Sequence, residues 1–267
     1  MTFQPVVPAG GLIGWSFLNR TLDAQTETFA KSPEVQRDTE YFKQTIATVR
    51  TAEDLVSDRR LLRVALGAFG LQSDLDSRAF IRKILEDGTE DQGALSSRLA
   101  DKRYREFAEA FGFGNPSGAR TGSATWARGI VAKFQRQQFE VAVGDQDQSM
   151  RLAMDAQRNM PNIAKGNVSG ETRWLQVMGN PPLRQVFETA LGLPSSFAQA
   201  DLDTQVAEFS DRAKRQLGIS DLSELADPAL QDKVIQRFLL RDQVAGFSQQ
   251  SPGAVALTLL QSVPRIF

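Results

Sequence analysis

The chain has 267 residues and a formal net charge of -1, with 41% hydrophobic and 24% charged residues, as in a soluble globular protein of one large or two modest domains. The near-neutral charge gives no general attraction for nucleic acid or for anionic membranes. There is no cysteine and no histidine, which excludes disulfides, thiolate nucleophiles, serine–histidine–aspartate catalysis and the usual zinc and iron sites.

The first residues show no targeting signal. The stretch "MTFQPVVPAGGLIGW" has no basic region, and Pro and Gly interrupt its apolar residues, whereas a cleaved signal peptide needs an apolar run of about 7–15 residues. No run approaches the ~20 apolar residues that span a bilayer. We therefore expect no membrane insertion, and either a cytoplasmic location or export without a cleaved signal.

The first predicted element is an amphipathic helix over residues 14–29. Its apolar residues recur at spacings of three, four and seven, which places them on one helical face. The lead before it is uncharged and contains Pro and Gly, which suits an extended arm that orders on binding. Two interpretations stay open: both chain ends dock on the protein's own core, or one docks on a partner or second copy. The candidate partner-contact residues are Trp15, Phe17, Leu18, Leu22 and Phe29.

Helical spacing of apolar residues continues along almost the whole chain. A long helix is predicted from about residue 124 to 160, with a bend or solvated middle at "GDQDQ" (residues 144–148). No strand-like alternation of useful length is present, so we predict an all-α, multihelical protein. Predicted helix starts include Ser32-Pro33, Asp227-Pro228 and Ser251-Pro252, and predicted helix ends include Gly70, Gly88 and Gly218.

Two loop-like stretches, residues 112–123 and 159–171, are candidate boundaries between two helical subdomains. The predicted organisation has four parts. They are an N-terminal arm and amphipathic helix (1–32), a first subdomain (33–123), a long connecting helix (124–160) and a second subdomain (161–267).

Two segments of the chain read almost alike. "LRVALGAFGL" ends at Leu71 and "LRQVFETALGL" ends at Leu193, and "LAD" follows each of them, ending at Asp101 and Asp227. Two markers in the same order at similar separation favour an internal duplication. The alternative is that leucine-rich helices and aspartate N-caps recur in any helical protein.

No motif predicts a cofactor, metal or catalytic site. The acidic turn "EDGTED" does not match the calcium-loop pattern. The glycine-rich "GFGNPSG" follows a predicted helix rather than a strand, and no G-K-[ST] accompanies it. A histidine-free hydrolase or lyase would need a concave pocket with converging Asp, Glu, Lys or Tyr of shifted pKa.

The sequence resembles the bacterial family called domain of unknown function 1217. The similarity lies in "GWSFLNRT", "FIRKILEDG", "SSRLADKRYREFAEAFGF" and the long run from Tyr41 to Phe113, and extends to "RQQFEVAVGDQDQSMRLAMDAQR" and "ALTLLQSV". The resemblance implies a multihelical protein, mostly from alphaproteobacteria and often encoded among flagellar genes. The family has no established catalytic residues, so none are transferred here.

We therefore expect a non-enzymatic, flagellum-associated structural or assembly protein that acts through helix-mediated contacts with protein partners. The missing catalytic residue types and the resemblance both favour this function. The alternative is a cytoplasmic helical adaptor or chaperone-like binding protein with the same kind of contacts and no export. We expect no nucleic-acid partner, and the oligomeric state stays open.

Overall fold

The structure is a computed structural model that describes residues 3–249. In this range all regular secondary structure is helical and there is no strand, which confirms the predicted all-α class. The helix predicted from Ser251-Pro252 and the apolar C-terminal residues lie outside the described residues. The helices are α1 (Gly11–Ala30), α2 (Pro33–Thr45), α3 (Ala52–Ser57), α4 (Arg59–Gly67), α5 (Arg78–Asp87), α6 (Leu95–Arg98), α7 (Arg103–Phe111), α8 (Ala124–Gly144), α9 (Gln148–Ala164), α10 (Gly170–Met178), α11 (Pro181–Leu191), α12 (Leu202–Leu217) and α13 (Pro228–Gln249).

The single connecting helix predicted for residues 124–160 is two helices, α8 and α9. Asp147 starts the second one, because its carboxylate accepts hydrogen bonds from the amides of Ser149 and Met150 and so caps α9. The chain reverses between Gly144 and Asp147, and α8 and α9 pack side by side as a hairpin. The sequence predicted a bend or a solvated middle here; the structure instead ends one helix at Gly144 and starts the next at Gln148.

Two separate cores organise the helices, and their boundary falls inside α8. The first core takes its buried side chains from α2 to α5, α7 and the first half of α8, including Phe134. The second core takes them from α1, α9 to α13 and the second half of α8, including Phe139. Helix α1 therefore belongs to the second core although it precedes the first in sequence. The division into domains at residues 123/124 and 160/161 stays a prediction.

The helix ends at Gly70 and Gly192 have the same geometry. Both glycines are left-handed, with φ of +69° and +65°. In each case the amide of the following leucine, Leu71 or Leu193, donates to the carbonyl five residues earlier, at 3.0 and 2.9 Å. This is the hydrogen bond that closes a glycine-terminated helix. Internal duplication itself stays a prediction.

No helix among residues 3–249 is long and apolar enough to cross a membrane.

Candidate functional site

The five predicted partner-contact residues lie on α1, and three of them are buried in the second core. Trp15, Leu18 and Leu22 are 5%, 0% and 7% exposed. Phe29 is partly buried and meets the ring of Phe139 edge-on at 5.7 Å. Phe17 is partly exposed beneath the guanidinium of Arg20. Contact with a partner through these residues stays a prediction, and it would require the buried three to leave the core.

The N-terminal arm lies against α1 and the α8–α9 turn rather than extending away from them. The amide of Val6 donates to Gln25 Oε1 at 2.7 Å, and Gln25 Nε2 donates back to the Val6 carbonyl at 3.2 Å. Gln146 Nε2 donates to the Pro5 carbonyl at 2.7 Å. The arm is thus already held by the protein's own side chains.

A polar cleft lies between the two cores, and no sequence motif pointed to it. It consists of two adjoining cavities of about 600 and 850 Å³ that share lining residues. Its walls are the end of α4, the exposed side of α7, the facing sides of α8 and α9, and parts of α10 and α11. Concave sites of this size are where ligands usually bind.

The deepest charged group of the cleft is Glu140 on α8, whose side chain is 1% exposed. Arg136, one turn earlier on α8, donates to it at 3.0 Å. Arg158 on α9 donates to both of its oxygens, from Nε at 3.1 Å and from Nη2 at 3.2 Å. A buried carboxylate needs such partners, because burial without them costs several kcal/mol.

A second carboxylate, Asp155, shares the same arginine. Arg158 Nη2 donates to Asp155 Oδ1 at 2.5 Å, and the side-chain Nδ2 of Asn159 donates to Oδ2 at 2.9 Å. Burial raises the pKa of Asp155, and Arg158 opposes that rise. Burial opposes the charge of Arg158, but Glu140 and Asp155 outweigh it and raise its pKa. Both buried carboxylates of the α8–α9 hairpin are therefore paired with arginines of the same hairpin.

Arg103 connects the opposite wall of the cleft to the end of α4. Its guanidinium donates to both oxygens of Asp101, to Oδ1 at 3.0 Å and to Oδ2 at 2.6 Å, and to the Gly70 carbonyl at 2.7 Å. The amide of the neighbouring Lys102 donates to the Gly179 carbonyl at 2.7 Å. This Lys102–Gly179 hydrogen bond joins the start of α7 to the end of α10 and so connects the two sides of the cleft.

Several bases of the cleft have no acidic partner. Within residues 3–249, no carboxylate lies at ion-pair distance from the side chains of Arg105, Arg120, Lys133 or Arg151. The ammonium of Lys133 lies 4.9 Å from the centre of the Phe69 ring, a cation–π contact. These four bases leave positive charge available to a bound molecule.

Glu106 is a carboxyl of the cleft that forms no hydrogen bond or ion pair with any residue in the described range 3–249. The side chain is exposed at the surface, but the surrounding cleft walls desolvate its carboxyl and raise its pKa, while Lys133 and Arg158 oppose the rise. A carboxyl with a raised pKa in a cleft is a candidate acid or base. No group of three acidic side chains in the described part of the chain could hold a metal ion.

Sequence reasoning missed this site for a physical reason. Its residues come from six helices from α4 to α11, and each has the spacing of an ordinary solvated helix face. The one available signal was the pair of Glu140 with Arg136, two opposite charges four residues apart on α8. The cleft lies where the buried Glu140 of α8 pairs with Arg158 of α9.

The comparisons with known proteins agree with the fold. The crystal structure of protein AGR_C_984 from Agrobacterium tumefaciens is similar, with a TM-score of 0.71 and 29% sequence identity over 90% of this chain and 97% of that chain. No curated protein matches the sequence. The family described as protein of unknown function (DUF1217) matches residues 68–230, well over half of the chain, and the protein therefore belongs to that family.

Proposed function

We propose that this is a non-enzymatic, flagellum-associated structural or assembly protein that acts by binding other proteins. The observation that carries the binding role is the cleft between the two cores, with its unpaired bases on an exposed wall. The flagellar context rests on the sequence resemblance, because genes of this family often lie among flagellar genes. The sequence has no histidine, the commonest general base, and this supports binding over chemistry.

The charge network of the cleft also favours binding. A general base needs an available lone pair directed at its substrate. Glu140 and Asp155 instead accept hydrogen bonds from Arg136, Arg158 and Asn159, which occupy their oxygens. These groups hold α8 to α9 and shape the cleft.

A deletion strain tests the flagellar part. A clean deletion in the source bacterium should reduce swimming, filament number or the normal composition of the hook–basal body. Re-expression of the native chain should restore it. Unchanged swimming, filaments and basal bodies in the deletion strain would contradict the proposal.

Cell fractionation separates this proposal from the cytoplasmic adaptor. An exported or structural component should appear in the culture supernatant or in purified basal bodies. A chaperone-like adaptor should appear in the soluble cytosol alone. A cytosolic enzyme serves as the control for lysis in the supernatant fraction.

One observation favours a second candidate, acid–base catalysis at Glu106, because this carboxyl lies in the cleft with a raised pKa. The test compares the native protein with Glu106→Gln after incubation with small-molecule extract from the source bacterium. Mass spectrometry that shows turnover by the native chain and none by the variant would establish an enzyme. The binding role predicts no difference between the two.

A further inference from the structure

We propose that the cleft binds an extended, acidic segment of a partner protein. This inference rests on the proposed binding function and names the chemistry of its partner. It uses three properties of the cleft: its charge, its unpaired amides and its shape.

The charge of the cleft differs from that of the whole chain. Eight basic side chains line the two cavities, against four acidic ones, on a protein with a formal net charge of -1. Two of the four acids, Glu140 and Asp155, are already paired with arginine. The bases that remain unpaired within residues 3–249 attract negative charge, and such complementarity directs both encounter and orientation.

The amides of the cleft suit a polypeptide backbone. Gln137, Gln176 and Gln185 line the cleft, and none has a side-chain hydrogen bond to another residue of the described range 3–249. An amide side chain both donates and accepts, as a peptide group does. Such side chains can pair with the main chain of an extended segment regardless of its sequence, while the bases select its acidic residues.

The shape and the acids of the cleft argue against other anions. The two cavities share residues of α7 and α9, and with volumes of about 600 and 850 Å³ they offer far more room than one small anion fills. Glu106 and Glu109 stand on its wall and would repel the uniform charge of a nucleic-acid backbone. A peptide can place its carboxylates beside Arg105, Arg120 and Lys133 and avoid the two glutamates.

The protein's own C-terminal segment lacks the required charge. Residues 250–267 contain one arginine and no aspartate or glutamate. The lead before α1 is also uncharged, and its main chain at Pro5 and Val6 is hydrogen-bonded elsewhere. The occupant is therefore assigned to another protein.

Fluorescence anisotropy with labelled synthetic peptides tests the inference on the full chain. The probe is an alternating Glu-Gly peptide of about ten residues, which spans about 33 Å when extended. The same peptide with Gln in place of Glu is the control probe. The acidic peptide should bind at least about tenfold more tightly than the amide peptide, and about 0.5 M salt should weaken it.

The decisive variant reverses two unpaired bases of the cleft, Lys133→Glu and Arg105→Glu. Both side chains are exposed, so the fold should survive, and circular dichroism checks this. The matched control is Lys214→Glu with Arg128→Glu, two exposed bases outside the cleft and without ion pairs in the described residues. The cleft variant should lose at least about tenfold in affinity and the control about twofold or less.

Several outcomes would overturn the inference. They are no binding of the acidic peptide, equal binding to native and cleft variant, or equal binding of the amide peptide. Citrate or an oligothymidylate that binds the cleft as tightly would assign it to a small anion or to nucleic acid. If the deletion strain swims poorly but the cleft variant restores swimming fully, the inference fails and the proposed function stands. A deletion strain that swims normally contradicts the proposed function whatever the peptides do.

Discussion

Arg158 of α9 holds the carboxylate of Glu140 of α8 through two hydrogen bonds, at 3.1 and 3.2 Å. The two residues are 18 positions apart, and the pair fastens the α8–α9 hairpin beneath the cleft. Glu140 is almost fully buried, while Arg158 keeps 29% of its side chain exposed along the cleft wall. Loss of the arginine would leave a buried carboxylate with Arg136 as its remaining partner.

Arg158→Met should therefore lower the free energy of unfolding by about 2–4 kcal/mol, the cost of breaking a buried ion pair on one side. Urea unfolding at pH 7 measures it. The control is Arg215→Met, because Arg215 pairs with Asp211 on an exposed face of α12 with both side chains about half or more exposed. That change should stay within about 0.5 kcal/mol. Equal effects of the two variants would contradict a structural role for the Glu140 network.

Gly70 and Gly129 should respond to alanine in opposite directions. Gly70 has φ of +69°, and an added Cβ would lie 3.3 Å from Arg103 Nη1, so Gly70→Ala should destabilise by about 1–2 kcal/mol. Gly129 lies inside α8 with nothing within 4 Å of an added Cβ. Gly129→Ala should stabilise by about 0.5–1 kcal/mol. Thermal unfolding measures whether the melting temperature of each variant falls or rises relative to the native chain. A Gly70→Ala protein that melts no lower than the native chain would contradict a left-handed conformation at Gly70.

Asp58 should make stability depend on pH. Its carboxylate caps α4 through the amides of Arg60 and Leu61 and accepts the Tyr41 hydroxyl at 2.6 Å. Burial raises its pKa, but these hydrogen bonds outweigh burial and hold the pKa below its ordinary value. The folded state thus favours the charged form, so this stabilisation is present above about pH 4 and lost as pH falls through the folded pKa.

Asp58→Asn keeps a capping oxygen and removes the charge. It should cost about 1 kcal/mol at pH 7 and clearly less near pH 2.5, as measured by urea unfolding at both values. Tyr41→Phe removes one of the hydrogen bonds and should abolish part of the same pH dependence. A cost for Asp58→Asn that is unchanged at low pH would contradict this origin.

The Val6–Gln25 hydrogen bonds should hold the N-terminal arm. Gln25→Ala leaves the Val6 amide and carbonyl without their partner and should cost about 1–2 kcal/mol. It should also speed cleavage of the arm by proteinase K under native conditions. Gln36→Ala on the exposed face of α2 is the control and should change neither quantity. An arm that is cleaved equally fast in both variants would mean that Gln25 does not hold it.

A chain that starts at Ser32 should fail to fold. It lacks Trp15, Leu18 and Leu22, and burial of each such side chain contributes about 1.5–3 kcal/mol. Their sum is comparable to the whole stability of a typical domain, about 5–15 kcal/mol. Circular dichroism and solubility measure the result. A folded Ser32 chain that recovers fewer partners from cell extract would instead support partner contact through α1.

The helical class of this protein followed from local chemistry alone. The 3.6-residue spacing of apolar side chains and the helix end at Gly70 depend only on residues within one or two turns, so the sequence by itself determines them. The absence of histidine and cysteine likewise limited the chemistry without any structure. The apolar face of α1 was also predicted from the sequence, but the spacing of its residues is the same whether that face packs on a partner or on the chain's own second core.

Only the tertiary structure decided what each helix face meets. The spacing that identified Trp15, Leu18 and Leu22 is the same for a core face and for an interface, and packing against α8 and α13 assigned them to the core. The cleft depends on Glu140 meeting an arginine from the next helix, a contact that the reversal at Asp147 creates. Side-chain spacing fixes a helix face, whereas burial and charge pairing between helices arise only once the helices have packed.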